Sequence, residues 1–409
     1  MRAFLIRKYT LKATLALLMT LVCSLVFASP IIPIPSPPQA SFIPTPPNPN
    51  AKSYVLMDAQ SGKVLAEKEP DTRLPPASLT KLMSLYLISS ALKNGNIHWD
   101  DKVIVSNKAW KMEGSRMFIK VGDSVSVKDL VQGIVVASGN DATVAMAEHI
   151  AGSEETFANM MNNQAKALGM NNTHYTDSTG LPNADHYSTA RDFAILTHAY
   201  VKNFPSDYHL FSEKWFSYKG IRQSNRNRLL WRYPLADGLK TGHTSDAGYC
   251  LVASAHKGTM RLISVMLGAP SDQIRTEESI RMLTYGFRFF ETFKLYDAKK
   301  PLVQARVWHG ANKETPLILT EDLYATIPAG QFKKLQASIH LNNPIKAPIV
   351  KGQSYGSVDL TINNQLILSK PLVASEDNGK GNFWRRVTDS LGYKFHQAFS
   401  RPDDKVNTG

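Results

Sequence analysis

Pro75-Pro76-Ala77-Ser78-Leu79-Thr80-Lys81-Leu82-Met83 decides how this chain is read. A serine and a lysine stand three residues apart where a helix begins. Residues at i and i+3 share a helix face, so the hydroxyl and the amine become neighbours. Pro75 and Pro76 fit just ahead of a helix or in its first turn, not in its interior. The run Leu82-Met83-Ser84-Leu85-Tyr86-Leu87-Ile88 continues as a helix apolar nearly all round, hence buried. A nucleophile thus lies at the positive end of a core helix, with an amine beside it to take its proton.

Two stretches further on carry matching chemistry. Val135-Val136-Ala137-Ser138-Gly139-Asn140-Asp141-Ala142 places a serine and an amide at the end of an apolar run. Asp237-Gly238-Leu239-Lys240-Thr241-Gly242-His243-Thr244 opens a strand leading into Tyr249. A glycine within a strand permits close backbone approach, as when a substrate is laid along a sheet edge.

Around these, Tyr54–Asp58 and Val64–Glu67 flank a turn at Gln60-Ser61-Gly62 and read as a hairpin. Helical periodicity then dominates to about residue 203, including Val127–Ala151 and Glu155–Leu168. Tyr249–Ala255 and Arg261–Leu267 form a second hairpin, and Thr276–Phe293 a closing helix. Strands at both ends with helices between them predict one sheet built from distant parts, with the helical middle inserted against it. This is an α/β domain over 53–290. From 291 to 376 short strand-like runs (303–307, 324–327, 337–341, 358–362) occur without helix. Asn363-Asn364 provides a hairpin turn before Leu366-Ile367-Leu368, so a separate β-rich domain is expected. The segment 377–409 returns to helix: Phe383, Trp384, Val387, Leu391, Phe395, Ala398 and Phe399 form a stripe, with Arg385, Arg386, Lys394 and His396 off it. That pattern suits a helix lying flat on anionic lipid, detached from the preceding fold by Gly379 and Gly381. Packing on its own β domain is the plainer reading.

The chain has 409 residues, 43% apolar, and a net charge of +13, enough for two or three domains with large cores. Arg2, Arg7, Lys8 and Lys12 precede an apolar run from Ala13 to Phe27, of about 15 residues and short for a membrane span. With Val26-Phe27-Ala28 as cleavage pattern, 1–28 reads as a signal peptide and 29–52 as a Pro-rich, extended leader. Val22 before Cys23 argues against lipidation. The exported chain then keeps only Cys250, a small core residue, and rests on its core rather than on disulfides. Export makes nucleic acid an improbable partner for the positive charge, which suits a polyanionic wall and anionic lipid.

Ser-x-x-Lys, Ser-x-Asn and Lys-Thr-Gly in this order are the constellation of penicillin-binding proteins and serine β-lactamases. With Pro76–Lys81, Ser138–Ala142, Asp237–Thr244, Ala247-Gly248-Tyr249, His186–Ala190, the β domain and the aromatic-basic tail, the chain resembles a D-alanyl-D-alanine carboxypeptidase. Specifically, it resembles a low-molecular-mass penicillin-binding protein of type 5 (serine-type, peptidase S11-like), over nearly the whole exported chain. The resemblance implies a serine β-lactamase/transpeptidase-like domain: an antiparallel sheet with helices and a helical insertion. A small all-β domain and a C-terminal amphipathic helix on the periplasmic face of the inner membrane would follow. It implies removal of the terminal D-alanine from peptidoglycan pentapeptides, limiting cross-linking and supporting cell shape, and acylation by penicillins. No metal or cofactor is called for, and a homodimer is one arrangement the sequence allows.

The implied roles meet physical needs. Ser78 is the nucleophile; no histidine is placed to activate it, so Lys81 is the base, made neutral by burial and by the nearby cation Lys240. Ser138 relays a proton between Lys81 and the departing amine. Asn140 holds a substrate amide, Lys240 and Thr241 bind the terminal carboxylate, and the N–H groups of Ser78 and His243, flanking Gly242, form an oxyanion hole. Arg275 and Arg226 match basic positions near that carboxylate, although each has a plainer reading as a helix-entry charge or a solvated face. His186 reads as ordering a loop. A β-lactamase needs a deacylating base, commonly a glutamate, that has no convincing local signature here, and Gly139 stands where class A enzymes carry Asp. An endopeptidase would cut cross-links with the same residues, and a non-catalytic wall-binding scaffold would leave the Ser78–Lys81 pair idle.

Overall fold

The structure, a computed structural model, describes residues 43–399, with side chains through 393. The expected signal peptide, the leader as far as residue 42, and residues 400–409 lie outside the described residues. The first sheet contains β1 (Ser53–Asp58), β2 (Val64–Lys68), β3 (Ala236–Thr244), β4 (Gly248–Lys257) and β5 (Met260–Ala269), all antiparallel, in the order β2-β1-β5-β4-β3. The two hairpins expected from sequence are thus joined through the β1–β5 pairing, Val55 opposite Val265. Side chains alternate across a strand, and here both faces are covered. Val55 and Met57 enter a core with Leu79, Leu82 and Met83, whereas Tyr54 and Leu56 enter another with Met282 and Leu283.

The first face is covered by the helical insertion, including α1 (Lys81–Lys93), α2 (Asn140–Ala151) and α3 (Ala190–Asn203). Every residue of α1 from Lys81 to Ser89 is buried, as its all-round apolarity requires. The helix expected over 127–151 is broken. Val127–Gln132 runs into a π turn at Gly133–Ala137, Ser138 adopts a left-handed conformation (φ 58°, ψ 35°), and α2 starts afresh. The break puts Ser138 at a joint, strained as functional positions tend to be. The other face is covered by α4 (Asp272–Phe289), capped by Ser271, whose Oγ accepts from the Ile274 N–H. This helix ends before the expected Phe293: Phe290–Tyr296 is a strand paired with Leu323–Pro328. Its helical spacing is overridden because Phe290, Thr292 and Phe293 find a strand partner.

The β domain holds a five-stranded sheet in the order 301–306, 314–318, 365–374, 354–362, 335–341. Asn363 and Asn364 are both left-handed, the geometry of the tight hairpin turn expected there. The strand Glu314–Ile318 was not expected, because Pro316 disguises it. Gly379 and Gly381 do not detach the last helix, α5 (Phe383–Phe399). The Gly381 N–H donates to His309 O at 2.8 Å, and a Cβ there would come within 2.7 Å of Gly310 O. Asp389, buried on α5, accepts from Arg306 and from the His309 N–H, both at 2.8 Å. Phe383, Trp384, Val387 and Leu391 on the same helix are exposed. So α5 docks by one face and leaves the expected stripe open. The side chains of Lys394, Phe395, His396, Ala398 and Phe399 lie outside the described residues. Among the described residues no helix is long and apolar enough to cross a membrane.

Candidate active site

Ser78 sits in a 3-10 turn, Ala77–Thr80, that leads directly into α1. Two glycines let backbone crowd this turn. A Cβ on Gly242 of edge strand β3 would lie 2.8 Å from Pro76 O, and one on Gly180 would lie 1.9 Å from Ala77 O. What approaches Gly242 most closely is therefore the chain's own turn carrying Ser78. Lys81 opens α1, and its Nζ donates to Ser78 Oγ at 2.9 Å and to Thr179 O at 2.7 Å.

Lys81 is fully buried. Loss of hydration pushes its pKa from 10.5 down to about 7; Asp177 opposes the shift and Arg226 adds to it. An ordinary lysine leaves about one amine in a few thousand neutral at pH 7; at a pKa of about 7, half are neutral. The sequence reading named Lys240 as the helping cation. Lys240 is itself driven well down, by burial first, then by Lys81, Arg226 and Arg275. Lys81 thus disfavours the charge on Lys240, whereas the cation that lowers Lys81 is Arg226 rather than the expected Lys240.

Lys240 Nζ donates to Ser138 Oγ at 2.8 Å and to Thr241 O at 3.1 Å. The Ser138 hydroxyl is thus held by Lys240 rather than by Lys81. Ser78, Ser138, Thr241, Gly242 and His243 line one cleft of about 770 Å³, with Arg226 and Arg275 on the same wall. Lys81 and Lys240 stand behind it. Arg226 Nε donates to Ala137 O at 3.2 Å, next to Ser138. Arg275 is buried and donates through Nη1 to Gly242 O and Cys250 O, at 3.0 and 3.1 Å, while Asp272 holds it at 2.5 Å. Asn140 lies off the cleft wall. Its Nδ2 donates to Glu113 O at 2.6 Å, and its buried Oδ1 has no partner among the described residues. Cys250 is buried with a free thiol, pushed up to about 11 by burial.

The sequence reading missed the loop that receives the Lys81 amine. Asp177 Oδ1 accepts the N–H groups of Thr179 and Gly180, both at 2.7 Å, an Asx turn that fixes the Thr179 carbonyl. His186, buried, bridges Asp177 (3.3 Å) and Thr80 Oγ1 (2.8 Å), tying this loop to the turn that carries Ser78. The stretch Asp177-Ser178-Thr179-Gly180 was the available signal. Nothing in the sequence pointed to Trp215 and Trp231, which also line the cleft.

Two sequence families match: D-alanyl-D-alanine carboxypeptidase over residues 40–271, and the penicillin-binding protein 5 C-terminal domain over 290–380. The D-alanyl-D-alanine carboxypeptidase DacC of Escherichia coli is 47% identical over 361 residues, 86% of this chain and 90% of that one. The crystal structure of penicillin binding protein 5 from Haemophilus influenzae superposes with a TM-score of 0.79 at 42% identity, covering 82% of this chain and all of that one. Penicillin-binding protein D2 from Listeria monocytogenes, in its ampicillin-bound form, matches with a TM-score of 0.55 at 30% identity, covering 59% of this chain and 100% of that one. With its Ser78–Lys81 pair backed by a cationic edge strand and relatives of this likeness along most of its length, the chain belongs to the D-alanyl-D-alanine carboxypeptidase family.

Proposed function

We propose that Ser78 carries the acyl-enzyme through which the chain removes the terminal D-alanine from peptidoglycan stem peptides. The observation that carries this is the buried Lys81 amine, near neutrality at pH 7 and 2.9 Å from the Ser78 hydroxyl. Lys81 takes the Ser78 proton as Oγ attacks the penultimate carbonyl. The N–H groups of Ser78 and His243, brought together where Gly242 of β3 meets the Ser78 turn, receive the oxyanion. Lys240 and Thr241 grip the terminal carboxylate, assisted by Arg226 and Arg275. An arriving carboxylate favours a charged Lys240 and offsets its burial. Ser138 passes the proton to the departing D-alanine, while Asn140, off the cleft wall with its Nδ2 on Glu113 O, braces the segment that carries Ser138. Water then cleaves the ester. Penicillins would enter by the same attack, as the ampicillin-bound relative supports. In this reading the catalytic domain spans 53–290, the β domain 291–376, and 377–409 provides a peripheral anchor.

Ser78→Ala should fold normally, lose D-alanine release by about 10⁴-fold or more, and take up no labelled penicillin. In the parent, mass spectrometry should find one adduct, on the peptide containing Ser78. An adduct elsewhere overturns the assignment. For the anchor, the exposed Phe383, Trp384, Val387 and Leu391 support a helix lying flat on lipid. The full chain should sediment with vesicles containing anionic phospholipid, and a chain ending before residue 383 should not.

A further inference from the structure

A second cavity lies at the other end of α1 from Ser78. Along this helix Leu87, Ser90, Ala91 and Asn94 fall at i, i+3, i+4 and i+7, so they share one face. On the helix Glu154–Leu168, Met160, Asn163 and Gln164 share a face in the same way. These two faces, with His149 and Ile150 at the end of α2, bound about 560 Å³, within the roughly 300–1,000 Å³ of small-ligand sites. Helix α1 has 13 residues, so about 20 Å of helix separates Lys81 from the far rim of the cavity.

Its lining is polar and nearly free of charge. Leu87, Ala91 and Ile97 are buried and form an apolar floor, which the exposed Met160 extends. Around the floor stand the amides of Asn94, Asn96, Asn163 and Gln164, and the Ser90 hydroxyl. Among the described residues, none of these five side chains hydrogen-bonds to another group of the protein. The neighbouring Asn162 shows the contrast: its Nδ2 donates to Tyr175 O and its Oδ1 accepts from the Tyr175 N–H, both at 2.8 Å. Lys93, one residue from the rim, turns away, its Nζ donating to Asn203 O at 3.0 Å and lying 5.6 Å from the centre of the Phe204 ring. His149 is the one titratable residue described on the wall. In a chain of net charge +13, a concave surface that presents amides over an apolar floor disfavours ions, because no counter-charge repays their desolvation.

We infer that this cavity binds the uncharged sugar backbone of the wall polymer, a strand of N-acetylated hexoses. A side-chain amide carries donor and acceptor side by side, which matches neighbouring hydroxyls and the acetamido group of such a sugar. The apolar floor takes the C–H face of the ring. Stem peptides bear carboxylates and suit the cationic cleft; the sugars bear no charge and suit this second site. A strand held here does not touch the reacting atoms. It keeps the enzyme on the polymer and raises the local concentration of stem peptides at Ser78.

The test uses the full-length chain and a β-1,4-linked tetramer of N-acetylglucosamine, with binding read by NMR as saturation transfer from protein to sugar. Transfer to the acetyl methyl protons is expected in the free enzyme, and equally after penicillin has closed the cleft. It should be lost in Met160→Glu, which sets a charge on the floor. In Asn163→Ala/Gln164→Ala the titrated affinity should fall about tenfold, as for the loss of one to two hydrogen bonds. Both variants should keep the parent kcat/KM on a soluble pentapeptide, while KM on insoluble wall rises about tenfold. Absent transfer, transfer that penicillin abolishes, or transfer unchanged in both variants overturns the site. Equal losses on soluble and insoluble substrates in both variants overturn it too. The sugar needs no working Ser78, so binding retained by a chain that trims nothing supports the site and overturns only the acyl-enzyme reading.

Discussion

In the proposed mechanism Lys81 accepts a proton, yet it lies beside a carboxylate that favours its charged form. Burial is the largest influence and drives the pKa down; Asp177 is the next and works against it. Asp177 is needed for another reason: its Oδ1 shapes the Asx turn that holds Thr179 O on the Lys81 amine. The conflict makes a pH prediction. A lysine base acts only when neutral, so the acid limb of kcat/KM should fall near pH 7, the folded value. Asp177→Asn keeps an oxygen for the turn but removes the negative charge. The ammonium then loses a stabilising neighbour, the pKa falls further, and the acid limb moves to lower pH. Profiles of parent and variant on a synthetic D-alanyl-D-alanine peptide measure the displacement. A limb that stays in place, or moves to higher pH, removes Asp177 from the electrostatics of the base.

Elements were legible where a period was long or a turn residue explicit. The all-round apolar α1, both hairpins of the sheet and the Asn363-Asn364 turn all follow from residues that admit few alternatives. Misreadings arose where tertiary pairing overrode local pattern. Phe290–Tyr296 continues a helical spacing yet pairs as a strand, and Pro316 sits within a strand. The break at Ser138 has no glycine at the left-handed position to announce it. The tail shows how two readings of one helix can coexist: its apolar stripe faces out, and the opposite face is pinned by Asp389. Asp389→Ala strands the His309 N–H and the Arg306 guanidinium. With Arg306 partly in solvent, the expected cost to helix docking is about 1–2 kcal/mol. Amide exchange along α5 should quicken while D-alanine release is unaffected. Unchanged exchange would mean that α5 is held by other contacts.

In the whole molecule, site and β domain occupy opposite ends of the strand order. β3, carrying Lys240, is one edge of the sheet, and β2 is the other. The turn between β1 and β2 meets the β domain, with Ser61 Oγ 2.6 Å from Thr326 Oγ1 and Lys63 Nζ donating to Thr326 O at 3.1 Å. Sequence order conceals this arrangement, since Ser78, Ser138 and Lys240 come from segments far apart in the chain and only the completed fold brings them to one cleft. The closed fold also bears the cost of the site. In the unfolded chain Lys81 titrates near 10.5, and in the folded one near 7. Below pH 7 both states are protonated and the penalty is complete. Between the two values the unfolded state binds more protons, so stability rises with pH, and above 10.5 the penalty is gone. At pH 7 the cost is on the order of 4 kcal/mol. Lys81→Met retains bulk without charge but leaves Thr179 O without its donor, so the net gain at pH 7 should be about 1–3 kcal/mol. The variant should be inactive, more stable than the parent at neutral pH, and progressively less advantaged toward pH 10. Urea midpoints of both proteins at several pH values give the difference directly. A constant difference, or one that widens with pH, means that Lys81 is not the titrating group whose burial the fold sustains.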